Sequence, residues 1–197
     1  MVSTRSRFIL AFGLLGAILL VAALAFGSSG EPAGRLTFGT RAPAGSTARF
    51  TFLATQQSNN CGLKPSGVAG RPPTMRLQGA CCTAMDEAHY RAQVRGLRAY
   101  AALPEVPSDP YDISVPLAQR LLNLDQRIPL RGASQNTYTR AMAMSDEHGP
   151  CCCHCWRWEA FRGLAKYLIV ERAWRPAGVA RMIGLIDGCG GPGGKSV

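Results

Sequence analysis

The sequence predicts a mainly α protein: an N-terminal transmembrane or signal helix, followed by a compact extracytoplasmic helical domain that allows a small β-element. Three observations predict it. An uncharged apolar run opens the chain, apolar residues recur at helical spacing from Tyr90 onward, and prolines and glycines mark where helices must stop.

The apolar run extends from Phe8 to Phe26, nineteen residues (FILAFGLLGAILLVAALAF) without a charge. At about 1.5 Å per residue it reaches about 28 Å, close to the hydrocarbon thickness of a bilayer. Arg5 and Arg7 precede it and no acidic residue occurs before Glu31, which keeps the N-terminus cytoplasmic and sends the rest outward. Residues 1–26 therefore read as a signal-anchor with a transmembrane helix over 8–26, giving a single-pass protein of the cell membrane. Ala23-Leu24-Ala25 also fits an A-x-A cleavage site, so the alternative is a signal peptide and a secreted domain. The run exceeds the usual apolar core of a signal peptide, about 7–15 residues, and this favours the anchor. The bilayer is then the first expected partner, and another membrane or extracytoplasmic protein the second. Residues 27–34 (GSSGEPAG) form a flexible tether.

Residues 35–188 are expected to form one cysteine-rich helical domain, and 189–197 (CGGPGGKSV) a loose tail. Arg-Phe-Thr-Phe-Leu at 49–53 alternates like a half-buried strand, and a loop follows over 56–79. A helix is expected to begin near Cys81, with Tyr90, Val94, Leu97 and Ala101 on one face and to end near Pro104. Pro-Ser-Asp-Pro at 107–110 is turn chemistry. Further helices are predicted over 115–125, where Leu117, Leu121 and Leu124 align, and from 134 or 135 to 146, before Gly149-Pro150. A longer one runs from about Cys152 to Trp174, carrying Trp158, Phe161, Ala165 and Leu168; Pro176 ends it, and a last helix reaches about Ile186.

Two of the 22 basic residues lie in the leader, leaving 20 basic against 12 acidic groups outside it, and only Lys64, Lys166 and Lys195 are lysines. Such a balance suits anionic lipid or acidic partners. Nucleic acid is not an expected partner, because the domain lies outside the cytoplasm and carries no recognition motif. No Ser/His/Asp set, nucleotide loop or paired-carboxylate arrangement stands out, so a carrier, sensor or accessory role is expected rather than catalysis.

The eight cysteines carry the chemical information. Cys151, Cys152, Cys153, His154 and Cys155 place four thiols and an imidazole within five residues, immediately before a helix; Cys81 and Cys82 sit at another expected helix start. Thiols there are more often thiolate, the form that binds metal or attacks a disulfide. If the helix includes Cys82, then Cys82, Asp86 and His89 share one face, with Met85 beside it. Sulfur with imidazole suits Cu(I) or zinc, and the leading expectation is soft-metal binding, Cu(I) before Zn, by Cys151–Cys155 with Cys81, Cys82 and His89 brought close by packing. Met142, Met144 and His148 are further soft donors upstream of the cluster, although we read the methionines first as core packing.

Two alternatives use the same residues. Cys152 and Cys155 form a C-x-x-C at a helix start, the placement used in thiol–disulfide exchange, although no thioredoxin-type strand–helix–strand pattern precedes it. Haem attachment is excluded, because position 156 is tryptophan where C-x-x-C-H needs histidine. The other alternative is a disulfide-stabilised interaction domain without metal, as an oxidising compartment favours. Neighbouring Cα atoms are about 3.8 Å apart, shorter than the usual disulfide span of about 4.4–6.8 Å, so adjacent cysteines should not pair with each other. The four thiols at 151–155 would then pair with Cys61, Cys81, Cys82 and Cys189, a crowded arrangement.

Overall fold

Seven α-helices and a two-stranded sheet organise the described residues, 42–191, of the computed structural model. The chain divides into Met1–Arg35 and Leu36–Val197, and every element described belongs to the second unit. The expected anchor or signal peptide, the tether at 27–34 and the tail beyond 191 lie outside the described residues. Among the described residues no helix is long and apolar enough to cross a membrane.

The elements are α1 (Thr47–Ala54), α2 (Pro65–Ala69), β1 (Arg76–Gln78), α3 (Glu87–Leu97) continued by a 3₁₀ turn (Arg98–Tyr100), β2 (Asp112–Ser114), α4 (Val115–Arg127), α5 (Ala133–Met144), α6 (Trp156–Val170) and α7 (Pro176–Ile186). Their starts follow capping rules. Ser46, Asp86 and Ser114 accept hydrogen bonds from the backbone N–H three residues on, at 3.2, 2.7 and 3.4 Å, and prolines occupy the first turns of α4 and α7. Most of the expected stripes are buried: Tyr90, Val94 and Leu97 on α3, Leu121 and Leu124 on α4, Phe161, Ala165 and Leu168 on α6; Leu117 and Trp158 are half-buried, and Ala101 lies past the end of α3 and is exposed.

Three expectations are corrected. Residues 49–53 are not a strand but part of α1. Ser46 caps that helix, and its helical spacing buries Arg49 and Leu53 while Phe50 and Phe52 stay half-exposed. Arg49 is held inside by an ion pair with Asp112, which also accepts from Arg76 at 2.5 Å. The small sheet instead joins β1 and β2 antiparallel, with Leu77 opposite Ile113. Second, α3 begins at Glu87, not near Cys81, because Asp86 acts as its cap. Third, α6 is shorter than expected, Trp156–Val170, and Cys151–Cys153 lie in the loop before it.

The core centres on α4 packed against α6, and α7 lies against α3, α5 and α6. The α4–α6 approach requires Gly163, where a Cβ would collide with the Leu121 carbonyl oxygen and the Asp125 amide of α4. Gly163→Ala is therefore expected to force the helices apart and cost about 2 kcal/mol or more, read from the urea midpoint at unchanged slope. Asp125 locks the same interface by accepting from Arg162 Nε at 2.7 Å and pairing with Lys166 at 2.8 Å. Burial opposes its ionisation, yet Arg162 and Lys166 hold its carboxyl below the usual range. Through this interface the start of α6, with the cysteine loop attached to it, has a fixed position.

Candidate metal centre

Four separate stretches of chain bring the eight thiols together: Cys61, Cys81–Cys82, Cys151–Cys155 and Cys189. The Cys61 loop is anchored by the polar run that precedes it. The Ser58 hydroxyl accepts from the Gln78 N–H at 2.7 Å, and fully buried Asn59 donates to the Gly79 carbonyl at 2.8 Å. The Asn59 side-chain oxygen accepts from Trp156 Nε1 at 2.9 Å and Arg157 Nε at 3.2 Å. The Cys61 N–H then reaches the Cys81 carbonyl at 3.2 Å. Reading residues in isolation attached no role to this run. Its side chains bond the backbone of Gln78 and Gly79 and the side chains of Trp156 and Arg157, far along the chain.

The Cys81–Cys82 and Cys189 stretches are stapled by backbone. Cys81 N–H donates to the Gly188 carbonyl at 2.9 Å, while Cys82 and Thr83 donate to the Cys189 carbonyl at 3.2 and 2.8 Å. Gly191 N–H returns the contact to Ala84 at 2.6 Å. The turn depends on Gly190 (φ 86°), where a Cβ would strike the Thr83 carbonyl. Residues 189–191 are thus part of the fold rather than of a loose tail, and Cys189 is buried.

The sulfur contacts are shared rather than paired. Cys82 Sγ lies 2.8 Å from Cys61, 3.1 Å from Cys152, 3.4 Å from Cys81 and 3.8 Å from Cys153. Cys189 Sγ lies 2.7 Å from Cys152, 3.6 Å from Cys151 and 3.8 Å from Cys81. These separations exceed the S–S bond of about 2.05 Å. They run up to the sulfur–sulfur edge of about 3.8 Å that a tetrahedron built on Zn–S bonds of about 2.3 Å would have. Three sets of four thiols have all their sulfurs within 4.8 Å of one another: Cys61, Cys81, Cys82, Cys153; Cys81, Cys151, Cys152, Cys153; and Cys81, Cys82, Cys152, Cys189. A carboxylate oxygen of Asp187 joins Cys151 and Cys189 in a fourth group.

The centre has an inner and an outer side. Cys81, Cys151, Cys155 and Cys189 are buried, while Cys82 and Cys152 are exposed. On the inner side, hydrogen bonds from Cys151 and Cys81 pull the Cys189 thiol down to about 4, and a hydrogen bond from Cys155 lowers Cys151 to about 7. Hydrogen bonds with Cys151, Cys155 and Cys189 push Cys81 well up, with the Arg157 charge acting in the opposite sense. Burial raises Cys82 to about 11 and takes Cys152 and Cys153 higher. On the inner side, negative charge is thus stabilised on Cys189 and Cys151, with Cys81 among the thiols that donate to it.

Arg157 places a buried positive charge near Cys81 and the Asp187 carboxylate. Its side chain is fully buried, donates to Asn59 Oδ1 at 3.2 Å and to the Ile186 and Pro110 carbonyls at 3.4 and 2.6 Å, and lies over the Trp156 and Phe161 rings. Among the described residues no carboxylate forms an ion pair with it. A buried guanidinium bonded only to neutral oxygens is costly unless negative charge stands near it.

Of the expected site residues, the structure brings Cys81, Cys82, Cys151, Cys152 and Cys153 into the shared groups and places Cys155 against the inner thiols. The histidines do not join them. His154 is exposed and sets its ring edge-on to Trp158, 4.0 Å between centroids. His89 lies on α3, where its N–H donates to Asp86; burial lowers its imidazole pKa, and Cys82 is not on that helix. The expected Cys82–Asp86–His89 face is therefore corrected. Cys61, Cys189 and Asp187 enter the centre without having been expected as ligands. Within the C-x-x-C, Cys152 contacts Cys82 and Cys189, while Cys155 bonds with Cys81, Cys151 and Cys153.

Fold and site together define a mainly helical protein with a shared eight-thiol centre. Comparison with family models, curated proteins and solved structures finds no match.

Proposed function

We propose that this protein binds a soft metal ion through the thiol centre, Cu(I) before zinc, as a carrier or accessory protein. In this reading residues 8–26 tether it to the membrane and hold the centre on the extracytoplasmic side. One observation carries the proposal: central sulfurs such as Cys82 and Cys189 each touch several others, as ligands around metal do, whereas disulfides need exclusive pairs. Cu(I) stands before zinc because it is the softer ion and the centre offers sulfur almost alone.

The test is metal analysis of the full-length protein purified without oxygen, with Cu(I) affinity measured against a chromophoric chelator. Cys82→Ser/Cys152→Ser removes two exposed sulfurs 3.1 Å apart and spares the core. The loss expected exceeds the roughly 10- to 100-fold that follows removal of an outer-shell partner. Unchanged affinity in this variant would reject the site.

A second reading has its own observation. The shortest contacts, Cys152–Cys189 at 2.7 Å and Cys61–Cys82 at 2.8 Å, join distant stretches of chain. They are the bonds that oxidation would form in a disulfide-stabilised interaction domain. Zero free thiols in the metal-free, air-handled protein would favour this reading.

A further inference from the structure

The arrangement of the sulfurs bears on how many ions the centre takes, an inference that rests on the metal reading above. A single ion with four thiolate ligands would use one of the three four-sulfur sets. The remaining sulfurs would not be bystanders. Cys81 belongs to all three sets, and Cys82, Cys152 and Cys153 each belong to two. Whichever set one ion occupied, the other thiols would stand within contact distance of its ligands, with no cation between them. A shared sulfur removes the conflict, because a thiolate has lone pairs enough to bridge two ions.

We propose that the centre holds a polynuclear Cu(I)–thiolate cluster, more than one Cu(I) per chain, in which Cys81 is a bridging ligand and the exposed Cys82 and Cys152 complete the outer side. Cys81 is placed for this. Its backbone is fixed by hydrogen bonds to Gly188 and Cys61, and its sulfur faces Cys82 at 3.4 Å and Cys189 at 3.8 Å, one on the outer and one on the inner side. Loading involves no change of oxidation state: each thiol that ligates loses its proton to solvent, and the thiolate formed donates a lone pair to one Cu(I), or one to each of two where it bridges. Surplus thiolate over Cu(I) leaves the cluster negative, and buried Arg157, whose charge acts on Cys81, offsets part of that charge within the fold.

The experiment titrates the reduced full-length protein with Cu(I) under anaerobic conditions, in excess chelator, and counts bound copper by native mass spectrometry. The expected result is cooperative filling: the apo form gives way to a multi-copper form while the single-copper species stays minor. Cys81→Ser should lower the copper number of the filled state more than Cys61→Ser, since Cys61 belongs to one set only. Wild-type protein that saturates at one Cu(I) overturns the polynuclear cluster but leaves metal binding standing. Protein that takes no Cu(I) overturns both. If Cys81→Ser retains the wild-type copper number, Cys81 does not bridge. Should that variant fail to fold, the wild-type count still decides the cluster's nuclearity.

Discussion

Asn59→Leu is expected to destabilise the protein by about 3–5 kcal/mol, among the largest effects of any single substitution outside the cysteines. Asn59 is fully buried and accepts from both the Trp156 indole and the Arg157 guanidinium while donating to the Gly79 carbonyl. Leucine fits the volume but leaves two donors, one of them charged, and one acceptor without partners. Each stranded neutral group costs about 1–3 kcal/mol, and a charged one more. Chemical denaturation measures the loss. Gln57→Ala, an exposed change two residues away, should stay within about 0.5 kcal/mol and serves as the control. The effect should reach the thiols, because Asn59 ties the Cys61 loop to the start of α6.

Loading with Cu(I) is expected to raise the melting temperature by about 8–16 °C. A ligand held at a thousandfold excess over its dissociation constant stabilises the folded state by about 4 kcal/mol. In a chain of this size each kcal/mol moves the midpoint by about 2–4 °C. The structure makes the coupling direct. The sulfurs come from residues 61, 81–82, 151–155 and 189, so an ion among them clamps the Cys61 loop, the loop before α3, the α5–α6 loop and the end of α7. Differential scanning fluorimetry with and without Cu(I), under reducing conditions, reads the shift. A shift below about 2 °C would mean that the ion does not join these stretches.

Much of the helical scaffold was legible because its signals are local. The stripes on α3, α4 and α6 are written at helical spacing, and Pro176 marks the break between α6 and α7. The meeting of Cys81–Cys82 with Cys151–Cys155 was also anticipated from thiol density, and the Cys82–Cys152 contact of 3.1 Å bears it out. What was misread depends on distant partners. Arg49 turns inward because Asp112 waits for it 63 residues later, so the alternation at 49–53 belongs to a helix face. Cys189 looked like part of a glycine tail because its backbone partners, Cys82 and Thr83, lie more than a hundred residues upstream. One signal was available locally: Asp86 followed by Glu87 is a helix start, and it separates Cys82 from His89.

The burial of Arg157 has a consequence for behaviour in saline surroundings. Mobile ions weaken attraction between charges they can surround, over distances of about 8–10 Å at ordinary ionic strength. They cannot surround a guanidinium enclosed by Trp156, Phe161 and three neutral oxygens. The chain therefore keeps a positive charge near Cys81 and Asp187 that added salt does not reach, and its influence there should hold from dilute buffer to brine.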